Sequence, residues 1–108
     1  MTKVAGQLVR DANNLPVGWD AENITAAAPT TTVVKTGSGV LHTITFNKPV
    51  ATGVVTIYDN TAASGTIVGI ITTPASPIPV TLTYDVAFSN GLTIKTATAA
   101  QDITISYI

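Results

Sequence analysis

The single histidine of the chain, His42, is the one side chain that could serve as an imidazole base. Nucleophilic catalysis needs such a base within hydrogen-bonding distance of the nucleophile, and the chain has no cysteine to act as a thiol nucleophile. His42 alternates with Val40, Ile44 and Phe46, and this spacing places it on the apolar face of a strand. We therefore expect His42 to be a core or interface residue, and we expect the protein not to be an enzyme.

Motifs that bind metals or phosphates are missing from the sequence. No H-x-x-x-H, C-x-x-C or D-x-D-x-D-G spacing occurs, and Asp59, Asp85 and Asp102 stand apart along the chain. Folding could still bring two carboxylates together, as glycosidases require. The Gly37-Ser38-Gly39 segment lacks the third glycine of a dinucleotide-binding loop, and no helix is predicted to follow it. We expect no metal site and no cofactor.

Charged residues are scarce, and threonine takes their place. Charged residues make up 10% of the 108 residues, against roughly 25% in an ordinary soluble domain, whereas 20 residues are threonine. The net charge of −1 and the 45% hydrophobic content argue against disorder, and the length suits one domain. The basic residues stand singly, which argues against nucleic-acid binding; they are Lys3, Arg10, Lys35, Lys48 and Lys95.

No segment has the apolar length of a signal peptide or of a transmembrane helix. We therefore expect no membrane partner and no secretion through a signal peptide.

Short runs rich in Val, Ile and Thr, separated by turn-forming residues, predict an all-β fold. We expect an antiparallel β-sandwich or a jelly-roll-like barrel of about seven or eight strands. The count of eight includes a short strand around Val4–Val9. The seven predicted strands fall at Thr32–Lys35, Val40–Phe46, Val54–Tyr58, Ile67–Ile71, Val80–Val86, Leu92–Lys95 and Ile103–Tyr107.

Turn-forming residues predict how these strands are joined. Asn90-Gly91 is a preferred central pair of a type I′ turn, so we expect Val80–Phe88 and Leu92–Thr96 to form a hairpin. The segment from Asp59 to Gly65 predicts a longer loop. Prolines at three positions between Pro74 and Pro79 cannot donate to a β-ladder, so this stretch predicts an exposed connector.

The composition changes near residue 30. Residues 1–30 hold the only tryptophan, Trp19, three of the six acidic residues and several turn formers, without sustained periodicity. We expect an extended N-terminal arm over residues 1–30 and the β-sandwich domain over residues 31–108.

Three segments, Lys35–Ile44, Ile57–Thr66 and Tyr84–Leu92, resemble a small β module found in virion proteins of tailed bacteriophages. The resemblance covers about residues 33–107. It implies a part in capsid decoration (as a cement protein), in a head fibre or in a tail-associated protein, often as a homotrimer.

The leading hypothesis is a trimeric capsid decoration protein on the surface of the virion, made in the host cytoplasm. Its partners would be further copies of itself and the major capsid protein or another virion protein. The scarcity of charge fits, because obligate interfaces are depleted of charged residues. The candidate interface residues are Val4, Leu8, Leu15, Trp19, Ile24 and His42. Trp19 could instead cover the domain's own core.

The alternative hypothesis is a tail- or fibre-associated module that recognises the host. In it, the loops at Asp59–Gly65 or Pro74–Pro79 would bind a cell-surface glycan or protein. Glycan sites usually present an aromatic side chain, and neither loop contains one, which weighs against this reading.

Overall fold

The computed structural model describes residues 9–10 and 16–108 and contains ten strands. All seven strands predicted from the sequence are confirmed, and the strand expected around Val4–Val9 lies outside the described residues except for Val9. The strands are β1 (Val9–Arg10), β2 (Pro16–Val17), β3 (Asp20–Ile24), β4 (Thr30–Thr36), β5 (Gly39–Lys48), β6 (Val54–Asp59), β7 (Thr66–Thr72), β8 (Val80–Phe88), β9 (Gly91–Ala97) and β10 (Asp102–Tyr107).

Strands β3 to β10 form two four-stranded antiparallel sheets. Sheet 1 has the order β3-β10-β5-β8, and sheet 2 has the order β4-β9-β6-β7. The pairings are nested, because β6 pairs with β7, β5 with β8, β4 with β9 and β3 with β10. This is the strand order of a jelly roll. The expected all-β sandwich is thus confirmed, and β1 and β2 pair separately.

The core lies between the two sheets and is made by alternate residues of their central strands. Sheet 1 contributes Leu41, Ile44, Phe46, Ile103 and Ile105, and sheet 2 contributes Val55, Ile57, Leu92 and Ile94, all at most 1% exposed. Because successive side chains of a strand point to opposite faces, the threonines between these residues lie mainly on the outer faces. The alternation of apolar residues and threonine along these strands therefore indicates which side chains form the core.

The hairpin expected at Asn90-Gly91 is wrong. Strand β8 belongs to sheet 1 and β9 to sheet 2, so Ser89 and Asn90 carry the chain from one sheet to the other. A type I′ turn requires a positive φ at Gly91. Gly37 and Gly65 have positive φ values, but Gly91 does not. A Cβ at Gly91 would lie 2.9 Å from the Asn60 carbonyl oxygen, so a close backbone contact explains this glycine.

The boundary expected at residue 30 is also wrong, because β3 lies within the first 30 residues and belongs to the sandwich. It pairs with β10 along its whole length, and its Ile24 is buried in the core at 4% exposure. The sequence of β3 contains two acids and one large apolar side chain, so it has no alternation from which a strand could be predicted.

His42 does not lie on the core face of β5. A β-bulge interrupts the pairing of β5 with both neighbours at this position, so that Leu41 turns into the core in its place. An extra residue in a strand breaks the alternation of its side chains. The half-buried His42 therefore lies on the outer face of sheet 1, where it contacts Trp19 and Asp85.

We expect Ile57→Ala to lower the free energy of unfolding by about 2–5 kcal/mol, because the substitution leaves a cavity at a fully buried site. The measurement is chemical denaturation monitored by circular dichroism. Ile78→Ala is the matched control, since Ile78 is 73% exposed and its truncation should change stability little. Equal effects of the two substitutions would contradict the assignment of the core.

Candidate functional site

The three segments that carry the resemblance meet at one end of the sandwich. We call this group the corner cluster and define it as residues 37–39, 59–61 and 89–91. Gly37 N–H donates to the Asn90 carbonyl oxygen at 3.0 Å, which joins the crossing from β4 to β5 to the crossing from β8 to β9. The Thr93 hydroxyl donates to the Asn60 carbonyl oxygen at 2.7 Å, which holds the following loop against sheet 2.

Asp59 is the central residue of the corner cluster. Its carboxylate accepts the N–H of Asn90 at 2.8 Å and the N–H of Ser89 at 3.0 Å. The N–H groups of Asn90 and Ser89 hold the pKa of Asp59 below its ordinary value of 3.8. Asp59 therefore stabilises a crossing between sheets.

A second group of polar residues lies on the outer face of sheet 1. The His42 Nδ1 atom and the Asp85 Oδ1 atom are 2.5 Å apart. The rings of Trp19 and His42 stack with centroids 4.2 Å apart and planes 12° from parallel. Asp85 has a φ of 50°, which reflects the extra residue that β8 carries opposite His42.

A histidine paired with a carboxylate can act as a base when a nucleophile lies beside it. Within the described residues, no serine or threonine hydroxyl hydrogen-bonds to His42. What the arrangement does provide is a fixed aromatic surface, because stacking and the contact with Asp85 both hold the imidazole ring in place.

Hydroxyl and amide side chains cover the rest of this face and hydrogen-bond to one another. Asn23 and Asn47 both donate to the Asp102 carboxylate, at 2.9 and 3.1 Å. The hydrogen bonds from Asn23 and Asn47 lower the pKa of Asp102. Two hydroxyl pairs continue the row, Thr43 with Ser106 and Thr45 with Thr81. The face is thus polar with few charges.

An apolar cleft opens on the side of the sandwich where the edge strands β7 and β8 lie next to each other. We call it the β7–β8 cleft; its cavity has a volume of about 240 Å³. It is lined by Phe46, Pro49, Ile71, Thr72, Thr73, Pro74, Pro77, Ile78, Val80 and Leu82. No charged side chain is among these residues. The Thr73 hydroxyl already donates to the Val50 carbonyl oxygen at 2.6 Å, so an apolar group is the ligand that fits.

The residues expected at the interface have different environments. Ile24 lies in the core of its own chain and is not available to a neighbour. Trp19 and His42 stack together on the outer face of sheet 1. Val4, Leu8 and Leu15 lie outside the described residues. The loops at Asp59–Gly65 and Pro74–Pro79 connect strands as expected.

The role of Asp59, the grouping of Trp19 with His42 and Asp85, and the β7–β8 cleft were not predicted from the sequence. An Asp-Asn pair at the end of a strand is a weak signal for side-chain capping of backbone N–H groups. The other two features join residues distant in the chain, and no local pattern indicates them.

Comparison of the chain with family models, with curated proteins and with solved structures finds no match. Over residues 9–10 and 16–108, the structure contains no helix that is long and apolar enough to span a membrane. The same part of the chain has no group of three or more His, Asp or Glu side chains that could hold a metal ion.

We expect the stability of the fold to decrease as the pH falls below 3.8, the ordinary pKa of an aspartate. The folded state depresses the pKa of Asp59, so its contribution is present above that value and is lost as the pH falls through the depressed pKa. Thermal unfolding of Asp59→Asn between pH 2 and pH 7 measures this contribution. The variant should unfold at a lower temperature at neutral pH and lose part of the pH dependence.

The control for this experiment is Asp85→Asn, which removes a carboxylate outside the corner cluster. If Asp85→Asn lowered the unfolding temperature as much as Asp59→Asn, the special position of Asp59 would be refuted.

Proposed function

We propose that the protein is a non-enzymatic structural subunit of a tailed-phage virion, most specifically a trimeric decoration protein that stabilises the capsid shell. Its partners are further copies of itself and the major capsid protein. The resemblance of the three segments around the corner cluster supports this proposal. A jelly roll is also a common architecture of viral capsid proteins, although fold alone does not determine function.

The observation that carries the proposal is an exposed apolar side of the sandwich. Among the side chains whose exposure the structure describes, seven large apolar ones are exposed. Four of these lie on β7, on the connector that follows it and at the start of β8; they are Ile67, Ile70, Ile78 and Val80. Exposed apolar residues grouped in this way mark surfaces that other protein covers. Because only 10% of the residues are charged, there are few charges to prevent this side from associating with another protein surface.

The absence of charge on β7 supports the same conclusion. Edge strands of monomeric proteins commonly carry charges that prevent pairing with another chain. The other three edge strands carry charges: β3 has Asp20 and Glu22, β4 has Lys35, and β8 has Asp85. Strand β7 carries no charge. A neighbour in a closed assembly would cover this edge.

The mass of the purified protein in solution, measured by light scattering, tests the oligomeric state. We expect three times the 11.1 kDa of the chain. Addition to undecorated capsids should then leave the protein bound to the shell and raise the temperature at which the shell disassembles. A protein that stays monomeric at high concentration and does not bind capsids would contradict the proposal.

A second candidate function is glycan recognition in host attachment. The observation that favours it is the position of Trp19, the only tryptophan, beside the hydroxyl- and amide-rich face of sheet 1. Aromatic rings next to polar side chains are typical of sugar sites. Screening against host-surface glycans, with Trp19→Ala as the control, tests this function. Binding that depends on Trp19 would favour it over capsid decoration.

A further inference from the structure

The β7–β8 cleft and the free edge of β7 together form a surface suited to an extended peptide segment. An edge strand offers unpaired N–H and C=O groups to an added strand, and a neighbouring pocket selects one of its side chains. Ile71 and Thr72 of β7 line the cavity directly. A cavity of about 150 Å³ lined by apolar residues can hold benzene, so the 240 Å³ here can take a leucine side chain.

The occupant must lack charge. Within residues 18–108, no charged side chain lines the cleft, so a buried Lys, Arg, Asp or Glu would lose its hydration without gaining a partner there. Outside the sandwich, the chain has two uncharged runs of strand length, Val4–Val9 and Ala12–Trp19. The second contains Pro16, which cannot donate to a ladder, and part of it already forms β2. Val4–Leu8 is the segment that remains.

The pattern of this segment matches the cleft. Val4, Gly6 and Leu8 are spaced two residues apart, so they share one face when the segment is extended. Leu8 supplies a branched side chain of suitable size, and Gly6 allows close approach of the backbones. Lys3 and Arg10 flank the run, so charge resumes only beyond its ends.

The topology indicates that Val4–Leu8 occupies the cleft of a neighbouring copy and not the cleft of its own chain. Asp20 is the first residue of β3. Across sheet 1, Asp20 pairs with Tyr107, Tyr107 pairs with Leu41, and Leu41 pairs with Val86 on β8. The cleft is three strand spacings and four to six residues away from Asp20, which amounts to about 20–25 Å.

Val9 pairs with Val17, which precedes Asp20 by three residues, so Val9 lies within about 16 Å of Asp20. Leu8, the next residue, lies within about 19 Å of Asp20 and therefore falls short of the cleft of its own chain.

We propose that residues Val4–Leu8 of one copy add to the edge of β7 in the next copy and insert Leu8 into its β7–β8 cleft. This inference rests on the proposed trimer and specifies what holds it together. Each copy gives one segment and receives one, so three heterologous contacts close a ring.

Engineered disulfides in the full chain test the contact, because the natural sequence has no cysteine. The variant Leu8→Cys with Thr72→Cys should give covalent trimers on mild oxidation, seen on non-reducing gels and reversed by a reductant. The matched control is Leu8→Cys with Thr31→Cys. Thr31 is an exposed threonine on β4, the opposite edge strand of the same sheet, and should give little cross-linking.

Four outcomes would overturn the inference. An intrachain disulfide in a monomer would show that the segment binds its own chain. Cross-linking of the Thr72→Cys single variant to itself would show that a second β7 occupies the edge. A trimer by light scattering without any Leu8–Thr72 cross-link would leave the proposed oligomer standing and remove this contact from it, whereas a monomeric natural protein would contradict both proposals.

The variant Leu8→Asp gives an independent measurement. Placing an unpaired carboxylate in an apolar cleft should raise the concentration needed for half-assembly by roughly a hundredfold. Thermal unfolding of the monomer should stay unchanged, which separates loss of the contact from loss of the fold. Unchanged assembly would count against the proposal.

Discussion

The carboxylate of Asp59 is the interaction on which one whole end of the sandwich depends. A chain that passes from one sheet to the other leaves the β-ladder, and its N–H groups then need other acceptors. Asp59 accepts from both Ser89 and Asn90, and Gly37 N–H donates to Asn90 at the neighbouring crossing. Asp59, at the end of β6, thus holds the crossing between β8 and β9, and Asn90 links that crossing to the one between β4 and β5.

The opposite end solves the same problem with neutral groups. Gln101, 1% exposed, accepts the Val50 N–H at 2.7 Å and donates to the Val50 carbonyl oxygen at 2.9 Å. The Thr73 hydroxyl accepts the Gly53 N–H at 2.8 Å. Because these amide and hydroxyl groups do not titrate, their hydrogen bonds are not lost as the pH falls, unlike those of Asp59.

Local sequence patterns predict the strands of this protein well and their partners poorly. The alternation in β5, β8 and β10 directly reflects the two faces of a sheet, so the strands and most of the core were predictable. The errors come from contacts between distant residues. The bulge that turns His42 outward is defined only relative to β8 and β10. The dipeptide Asn90-Gly91 can join two strands of one hairpin or two strands of different sheets, and its sequence does not distinguish the two. Strand β3 is recruited by its pairing with β10, which its own five residues do not signal.

The nested strand order also determines how the chain can fold. The β6–β7 pair closes a loop of only six residues, whereas the β3–β10 pair joins residues up to 87 positions apart. Closing a longer loop loses more chain entropy, and folds dominated by distant contacts form slowly. Folding is therefore expected to start at the β6–β7 hairpin and to proceed outward, with β3 docking last. On this route the cleft between β7 and β8 forms before β3 completes sheet 1.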